Sequence, residues 1–175
     1  MFLQKLKAIT TFIFDVDGVL TNGDILASES GEFLRSFNIK DGYALQLAVK
    51  KGYWVCIISG GSGEGMRRRF AGLGIENAYL GVSDKVKVFE EYLLANSINR
   101  AEVLYMGDDI PDYKVMQLVG LPTCPADAVE EIKAISTYIS PLPGGKCAAR
   151  DVIEKVLKIQ GRWFDENPDA SDAAK

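Results

Sequence analysis

Asp15-Val16-Asp17-Gly18-Val19-Leu20-Thr21 places two carboxylates at i and i+2 directly after the apolar, β-branched run 8–14. Anionic side chains this close to a core are costly unless something compensates them. A divalent cation does so, and Mg²⁺ in particular takes hard oxygen ligands while keeping positions open for a phosphate. Standing alone, the pair is explained almost as well by a solvent-facing turn at Asp17-Gly18. It gains weight because two other apolar runs end in a similar way. Val103–Met106 runs into Gly107-Asp108-Asp109, with Asp112 four residues beyond Asp108 and able to face the same side at a helix entrance. Helix capping is the plainer reading of Asp109 and Asp112. Residues 53–58 run into Ser59-Gly60-Gly61, a hydroxyl with free backbone N–H groups at a helix start, which suits a phosphate. Lys85 follows the turn Gly81-Val82-Ser83 and opens a helix. A surface lysine is its bland reading, and Lys87 competes with it.

Other chemistries are excluded by what the chain lacks. It contains no histidine, so Ser-His-Asp and Cys-His catalysis in their usual forms are absent. None of the cysteines (Cys56, Cys124, Cys147) is followed by Arg at the sixth position, and none stands in CxxC spacing, so neither a cysteine-phosphatase loop, a disulfide framework nor a zinc site is indicated. Hydrolysis here must be run by carboxylates, hydroxyls, lysine and metal. A net charge of −4 argues against nucleic-acid binding, and the triplet Arg67-Arg68-Arg69 reads as a solvated helix face. No apolar run approaches the ~20 residues of a membrane span, and the start of the chain does not read as a signal peptide. A reducing, cytoplasmic location is the default expectation.

The elements that must position these residues alternate in kind. Strands are expected over 8–14, 53–58 and Val103–Met106, with shorter ones at 78–80, 121–123 and Tyr138–Ile139. Helices are expected over 41–51, closed by Gly52; 63–73, closed by Gly74; 84–96, capped by Ser83 or Asp84; 112–119 after Pro111; 126–135; and Ala148–Ile159. Such alternation implies an α/β fold, a parallel sheet with helices on both faces and ligands outside the carboxyl ends of its strands. The three long strands all end there in small or acidic residues. Residues 23–39 alternate weakly (Ile25, Ala27, then Phe33, Arg35, Phe37) around Ser30-Gly31 and read as a β-hairpin. With 175 residues the chain fits one domain, 1–164, followed by a polar stretch, 165–175, that reads as a disordered tail.

Asp15-x-Asp17-Gly18-x-x-Thr21, Ser59-Gly60, Lys85 and Gly107-Asp108-Asp109-x-x-Asp112, in that order, resemble the four motifs of the haloacid dehalogenase superfamily of phosphotransferases. The resemblance implies a Rossmann-like fold in which Asp15 attacks phosphorus and forms an aspartyl phosphate. Asp17 would protonate the leaving alcohol and later activate water. Mg²⁺ would be held by Asp15, the backbone carbonyl of Asp17, and Asp108. Ser59, Gly60 and Lys85 would bind the transferring phosphoryl group, with Asp109, Asp112 and Thr21 in secondary, orienting roles.

Neither the stretch between Asp17 and Ser59 nor that between Ser59 and Lys85 can hold a cap domain. Together with Phe37-Asn38-Ile39-Lys40-Asp41-Gly42-Tyr43 and Pro143-Gly144-Gly145-Lys146-x-Ala148-x-Arg150, the motifs resemble the capless 3-deoxy-D-manno-octulosonate 8-phosphate phosphatases. That resemblance implies hydrolysis of this sugar acid phosphate in lipopolysaccharide precursor synthesis. It also implies a homotetramer whose hairpins meet as a barrel. Its glycine-rich segment would cover a neighbour's site and bring Lys146 and Arg150 to the substrate there. The chain departs from the family pattern at Gly61, where many relatives have Arg, and at Cys147, where glycine is common. A nine-carbon sugar acid 9-phosphate, of the ketodeoxynonulosonate or sialic acid kind, is therefore the alternative substrate. Two readings from other classes are a receiver-like phosphoacceptor module and a catalytically silent scaffold. The Asp-x-Asp at the end of the first strand speaks against the module, and the complete motif set against the scaffold.

Overall fold

The computed structural model describes residues 2–164; the tail expected at 165–175 lies outside them. Six strands, β1 (Thr11–Phe14), β4 (Trp54–Ser59), β5 (Asn77–Leu80), β6 (Val103–Met106), β7 (Leu121–Cys124) and β8 (Tyr138–Ile139), form one sheet in the order β5-β4-β1-β6-β7-β8. All its pairings are parallel, and Phe14 is in register with both Ile57 and Met106. The separate pair β2 (Leu26–Ala27) and β3 (Phe33–Leu34) is antiparallel.

Period-2 alternation along the central strands feeds two cores. Phe12, Phe14, Val55, Ile57, Leu104 and Met106 face one layer, made by α1 (Phe2–Ala8), α2 (Ile39–Lys50), α3 (Glu64–Gly72) and α7 (Ala148–Ile159). Ile13, Cys56, Ile58, Val103 and Tyr105 face the other, made by α4 (Lys85–Asn96), α5 (Tyr113–Met116) and α6 (Glu130–Ile135). Strand order therefore leaves β1 in both directions, to β4 and β5 through α2 and α3 of one layer, and to β6, β7 and β8 through α4, α5 and α6 of the other. In a parallel sheet, the crevice opens at such a reversal. The ends of β1, β4 and β6 meet there.

The expected strands and helices are present, with informative differences at their ends. α1 was not anticipated: of run 8–14 only Thr11–Phe14 joins the sheet. α2 begins at Ile39 because the Asn38 side chain accepts from the Lys40 and Asp41 N–H groups, and this shortens the expected hairpin. The helix expected at 112–119 is reduced to a 3₁₀ turn, Ile110–Asp112, and α5, since Gly120 turns away to donate to the Arg100 carbonyl at 2.8 Å. A Cβ at Gly120 would lie 2.0 Å from the Ala101 carbonyl oxygen. The helix expected from Ala126 starts at Glu130, because the N–H groups of Ala126 and Val129 are committed to Leu142 and Asp108.

Two ties hold the last helix to the site. Cys147, immediately before α7, lies in the left-handed region with φ 76° and provides no side-chain cap of its own. Asp41, buried on α2, supplies the cap by accepting from the N–H groups of Cys147 (3.1 Å) and Arg150 (2.8 Å). Gly144 and Gly145 press on the backbone of the loop after β1. Gly145 N–H donates to Val19, and a Cβ on Gly144 would lie 1.9 Å from the Gly18 carbonyl oxygen. No helix among the described residues is long and apolar enough to cross a membrane.

Candidate active site

Asp15 follows β1 directly, and its N–H extends the sheet ladder to the Met106 carbonyl at 3.1 Å. This fixes the carboxylate between the ends of β1 and β6. One oxygen accepts from Val16 N–H at 2.6 Å and the other is 2.7 Å from Lys85 Nζ. The loop beyond is braced by buried Thr21, whose Oγ1 donates to Val16 and accepts from Gly18 and Gly23 N–H. Thr21 thus shapes the loop and does not line the cleft.

Asp112 is fully buried and multiply held. It accepts from Lys85 Nζ and Tyr105 OH, both at 2.7 Å, and from Asp108 N–H at 3.2 Å. It caps nothing; its work is to orient Lys85 and the Asp108 backbone. Asp109 takes the capping role instead, exposed and accepting from Ile110 N–H at 2.7 Å. Lys85 rather than Lys87 enters the site. Asp84 caps α4 by accepting from Lys87 N–H, which leaves Lys85 as the first helical residue, only 7% exposed, while Lys87 points to solvent.

Carboxylate oxygens of Asp15, Asp108 and Asp112 lie within 4.8 Å of one another. Burial first, then the charge of Asp112, pushes Asp15 up to about 7 against the pull of Lys85. Burial first, then Asp15, Asp112 and Asp109, pushes Asp108 up to about 8. For Lys85, burial disfavours the ammonium, but Asp112 and Asp15 outweigh it and raise its pKa. Charge is thus short on the positive side by one small cation. Asp108 Oδ1 is buried with no hydrogen-bond partner, and Gly18 is required where it is, since a Cβ there would lie 1.9 Å from Asp108 Oδ2. Asp112 already accepts from three donors, against two at Asp15 and none at Asp108 Oδ1, so Asp15 and Asp108 are the carboxylates better placed to ligate. An all-oxygen donor set with an orphaned oxygen fits Mg²⁺.

Ser59 ends β4 almost fully buried, its Oγ accepting from Gly61 N–H at 3.2 Å. Gly81 and Val82 N–H groups donate to the Gly61 and Ser59 carbonyls and fix this loop over the cleft. Asp15, Asp17, Ser59, Gly60, Lys85 and Asp108 line one cleft of about 530 Å³. The structure therefore gathers the residues expected to react, bind phosphate and hold metal.

Two functional neighbours were missed by sequence. Tyr105 sits in the strand run VLYM and reads there as one more apolar residue. Arg35 follows β3, and its guanidinium meets Asp17 side-on, Nε to Oδ1 at 2.6 Å and a terminal nitrogen to Oδ2 at 3.0 Å. The alternation Phe33, Arg35, Phe37 was the available signal, since it put a cation on a defined hairpin face. Lys146 and Arg150 do not line the cleft of their own chain. Lys146 is exposed, and Arg150 pairs with Glu154 and stacks over Trp163 and Tyr43.

No family model matches the chain. The 3-deoxy-D-manno-octulosonate 8-phosphate phosphatase of Escherichia coli (strain K12) is 37% identical over 160 residues, 91% of this chain and 85% of that protein. The crystal structure of the phosphatase of that name from Yersinia pestis aligns with a TM-score of 0.90 at 34% identity, covering 92% of this chain and 87% of its own. The Moraxella catarrhalis phosphatase, in complex with magnesium ion, phosphate ion and KDO, aligns at 0.88 and 34% identity over 98% and 95% of the two chains. A cobalt-bound Haemophilus influenzae phosphatase aligns at 0.88 and 31% over 98% and 100%.

Proposed function

The chain belongs to the 3-deoxy-D-manno-octulosonate 8-phosphate phosphatases of the haloacid dehalogenase superfamily, and from that premise we propose the roles its residues take in hydrolysing this phosphomonoester. The enzyme is a Mg²⁺-dependent phosphoric monoester hydrolase. The observation that carries its mechanism is the Asp15 carboxylate, held by Lys85 beside the unpartnered oxygen of Asp108.

Asp15 is the nucleophile. Its attack on phosphorus forms the aspartyl phosphate as the bond to the leaving sugar oxygen breaks, and Asp17 delivers a proton to that oxygen. Asp17 then takes a proton from the water that hydrolyses the intermediate. Ser59 Oγ, the N–H of Gly60 and Lys85 Nζ receive the phosphoryl oxygens, with Lys85 fixed from behind by Asp112. Asp15, Asp108 and the backbone carbonyl of Asp17 would hold Mg²⁺, which when bound would add positive charge against the same group.

Residues 1–164 are read as one catalytic domain. The exposed Ile25, Leu26, Phe33 and Leu34 of the hairpin support a homotetramer assembled through it. In that assembly Lys146 and Arg150 would reach a neighbour's substrate. Three free cysteines support a reducing, cytoplasmic compartment, and the reaction fits lipopolysaccharide precursor synthesis. The nine-carbon alternative is not carried forward, because these relatives are named for the eight-carbon acid. A receiver-like module is also set aside in favour of a turning-over phosphatase.

The test is phosphate release from 3-deoxy-D-manno-octulosonate 8-phosphate and from a nine-carbon 9-phosphate, each with Mg²⁺ and with EDTA. Fast, metal-dependent release from the eight-carbon substrate is expected. Preference for the nine-carbon acid would overturn the substrate, and release unaffected by EDTA would overturn the metal's role.

A further inference from the structure

The inner carboxylates have their uses in the reaction just described, but the Arg35–Asp17 pair does not follow from it. Both oxygens of the residue that must meet the leaving oxygen are occupied by one guanidinium. The Arg35 side chain is only 6% exposed, so this is a built position and not a surface arginine resting on a convenient acid. Gly61 is shaped to it: a Cβ there would lie 2.7 Å from Asp17 Oδ2 and 2.8 Å from the Arg35 terminal nitrogen.

The pair also stands between two cavities. Asp17 and Gly61 line the catalytic cleft. Arg35 lines a second groove of about 560 Å³ on its far side, between the hairpin and the first turns of α3, together with Phe33, Ser62, Met66 and Arg69. The acidic side chains on this groove are Glu32 and Glu64, and Glu64 is already paired with Arg68. A substrate whose phosphate lies on Asp15 and whose leaving oxygen lies on Asp17 brings its remaining atoms next to Arg35, which holds both Asp17 oxygens. The planar fork that now grips one carboxylate fits another equally well.

We infer that Arg35, at the mouth of this groove, is the receptor for the carboxylate of the leaving sugar acid, and that it exchanges the Asp17 carboxylate for that of the substrate. The inference rests on the substrate reading given above. Arg35 is thereby a specificity residue for acid-bearing leaving groups, and it frees Asp17 when the right substrate enters.

The test compares wild type, Arg35→Gln and Arg35→Lys on two primary alkyl phosphates, 3-deoxy-D-manno-octulosonate 8-phosphate and the carboxylate-free glucose 6-phosphate. Melting curves confirm folding, and Arg35→Lys carries the comparison if Arg35→Gln fails to fold. The expected result is a kcat/KM loss of roughly 50-fold or more on the sugar acid phosphate, largely in KM, against less than about 5-fold on glucose 6-phosphate. Arg35→Lys should recover only part, since it keeps the charge and loses the fork. Equal losses on the two substrates, or no loss on either, would overturn the inference while leaving the substrate reading intact. Discrimination lost in Lys146→Gln but kept in Arg35→Gln would also overturn it. A wild type inactive on the sugar acid phosphate would overturn the substrate reading, and this inference with it.

Discussion

The inner end of the cleft and its outer edge are built in opposite ways. At the inner end each charge is held from several directions: Asp112 by three donors, Lys85 by two carboxylates, Asp15 by a ladder bond, a backbone N–H and Lys85. At the outer edge Asp17 is held by one arginine, carried on a hairpin of two residue pairs whose apolar side chains face solvent. Central strands of a parallel sheet fix the groups at their ends, because the register on both sides leaves them no freedom. A short hairpin fixes little by itself. Attack on phosphorus, which needs atoms placed to fractions of an ångström, falls to the rigid end, and the meeting with the leaving group falls to the adjustable one.

The sharpest way to break this division is Asp15→Asn. It removes the nucleophile while keeping shape, and it relieves repulsion with Asp108 and Asp112. Activity should fall by about 10⁴-fold or more with no loss of melting temperature. Phosphate release retaining a tenth of the wild-type rate would show that the inner end is not where the bond breaks.

Lys85→Met should lower kcat by about 10²–10³-fold and also destabilise the fold by roughly 3–5 kcal/mol in urea unfolding, because it leaves buried carboxylates unpaired. A variant of unchanged stability would mean that the inner network is looser than drawn. At the other end, Phe33→Ser with Leu34→Ser should convert the proposed tetramer to smaller species in sedimentation, with a subunit stability change under about 1 kcal/mol. A tetramer that persists would place the contact elsewhere, and a wild type that sediments as a monomer would overturn the proposed assembly.

The metal gives a pH test of the inner end. Asp15 and Asp108 are raised to about 7 and about 8 from an ordinary 3.8. In metal-free protein the stability tied to them is therefore full below about pH 4 and lost as pH climbs through those values. Mg²⁺ takes the deprotonated form, so its gain in melting temperature should be several degrees larger near pH 8.5 than near pH 6. A gain independent of pH would remove Asp15 and Asp108 as ligands. The smallest expected effect is that of Tyr105→Phe, about 1 kcal/mol and a few-fold in kcat, since Asp112 keeps Lys85 and the Asp108 N–H. A larger loss would show that the tyrosine does more than steady its neighbour.

The same division explains what could be read without coordinates. Strand Val103–Met106, strand Tyr138–Ile139 and helix Ala148–Ile159 have the expected bounds because their apolar periodicity is long or sharply stopped. The inner carboxylates, Ser59 and Lys85 were legible because each follows directly on a strand or a turn, so local sequence alone locates them. Arg35 was not, since its use depends on where a weakly patterned hairpin lands relative to a loop 18 residues away. Tyr105 was hidden because a strand residue's ring and hydroxyl face the same buried layer, and only tertiary placement reveals Asp112 beside it. Asp109 and Asp112 carry equal charge in one short motif, yet one caps a turn and the other anchors a lysine. The direction of the chain after β6 decides between them.

The contact of Gly144 and Gly145 with the backbone at Gly18 and Val19 sets an order on biosynthesis. The loop that carries the nucleophile leaves the ribosome well before the surface that closes behind it, since Gly18 and Val19 precede Gly144 and Gly145 by most of the sheet. A nascent chain can build much of the sheet and still lack the backing of its own reactive loop. A chain cut short before Gly144 would lose that backing together with α7, whose Val152, Ile153, Val156 and Leu157 are buried in the core over the same strands.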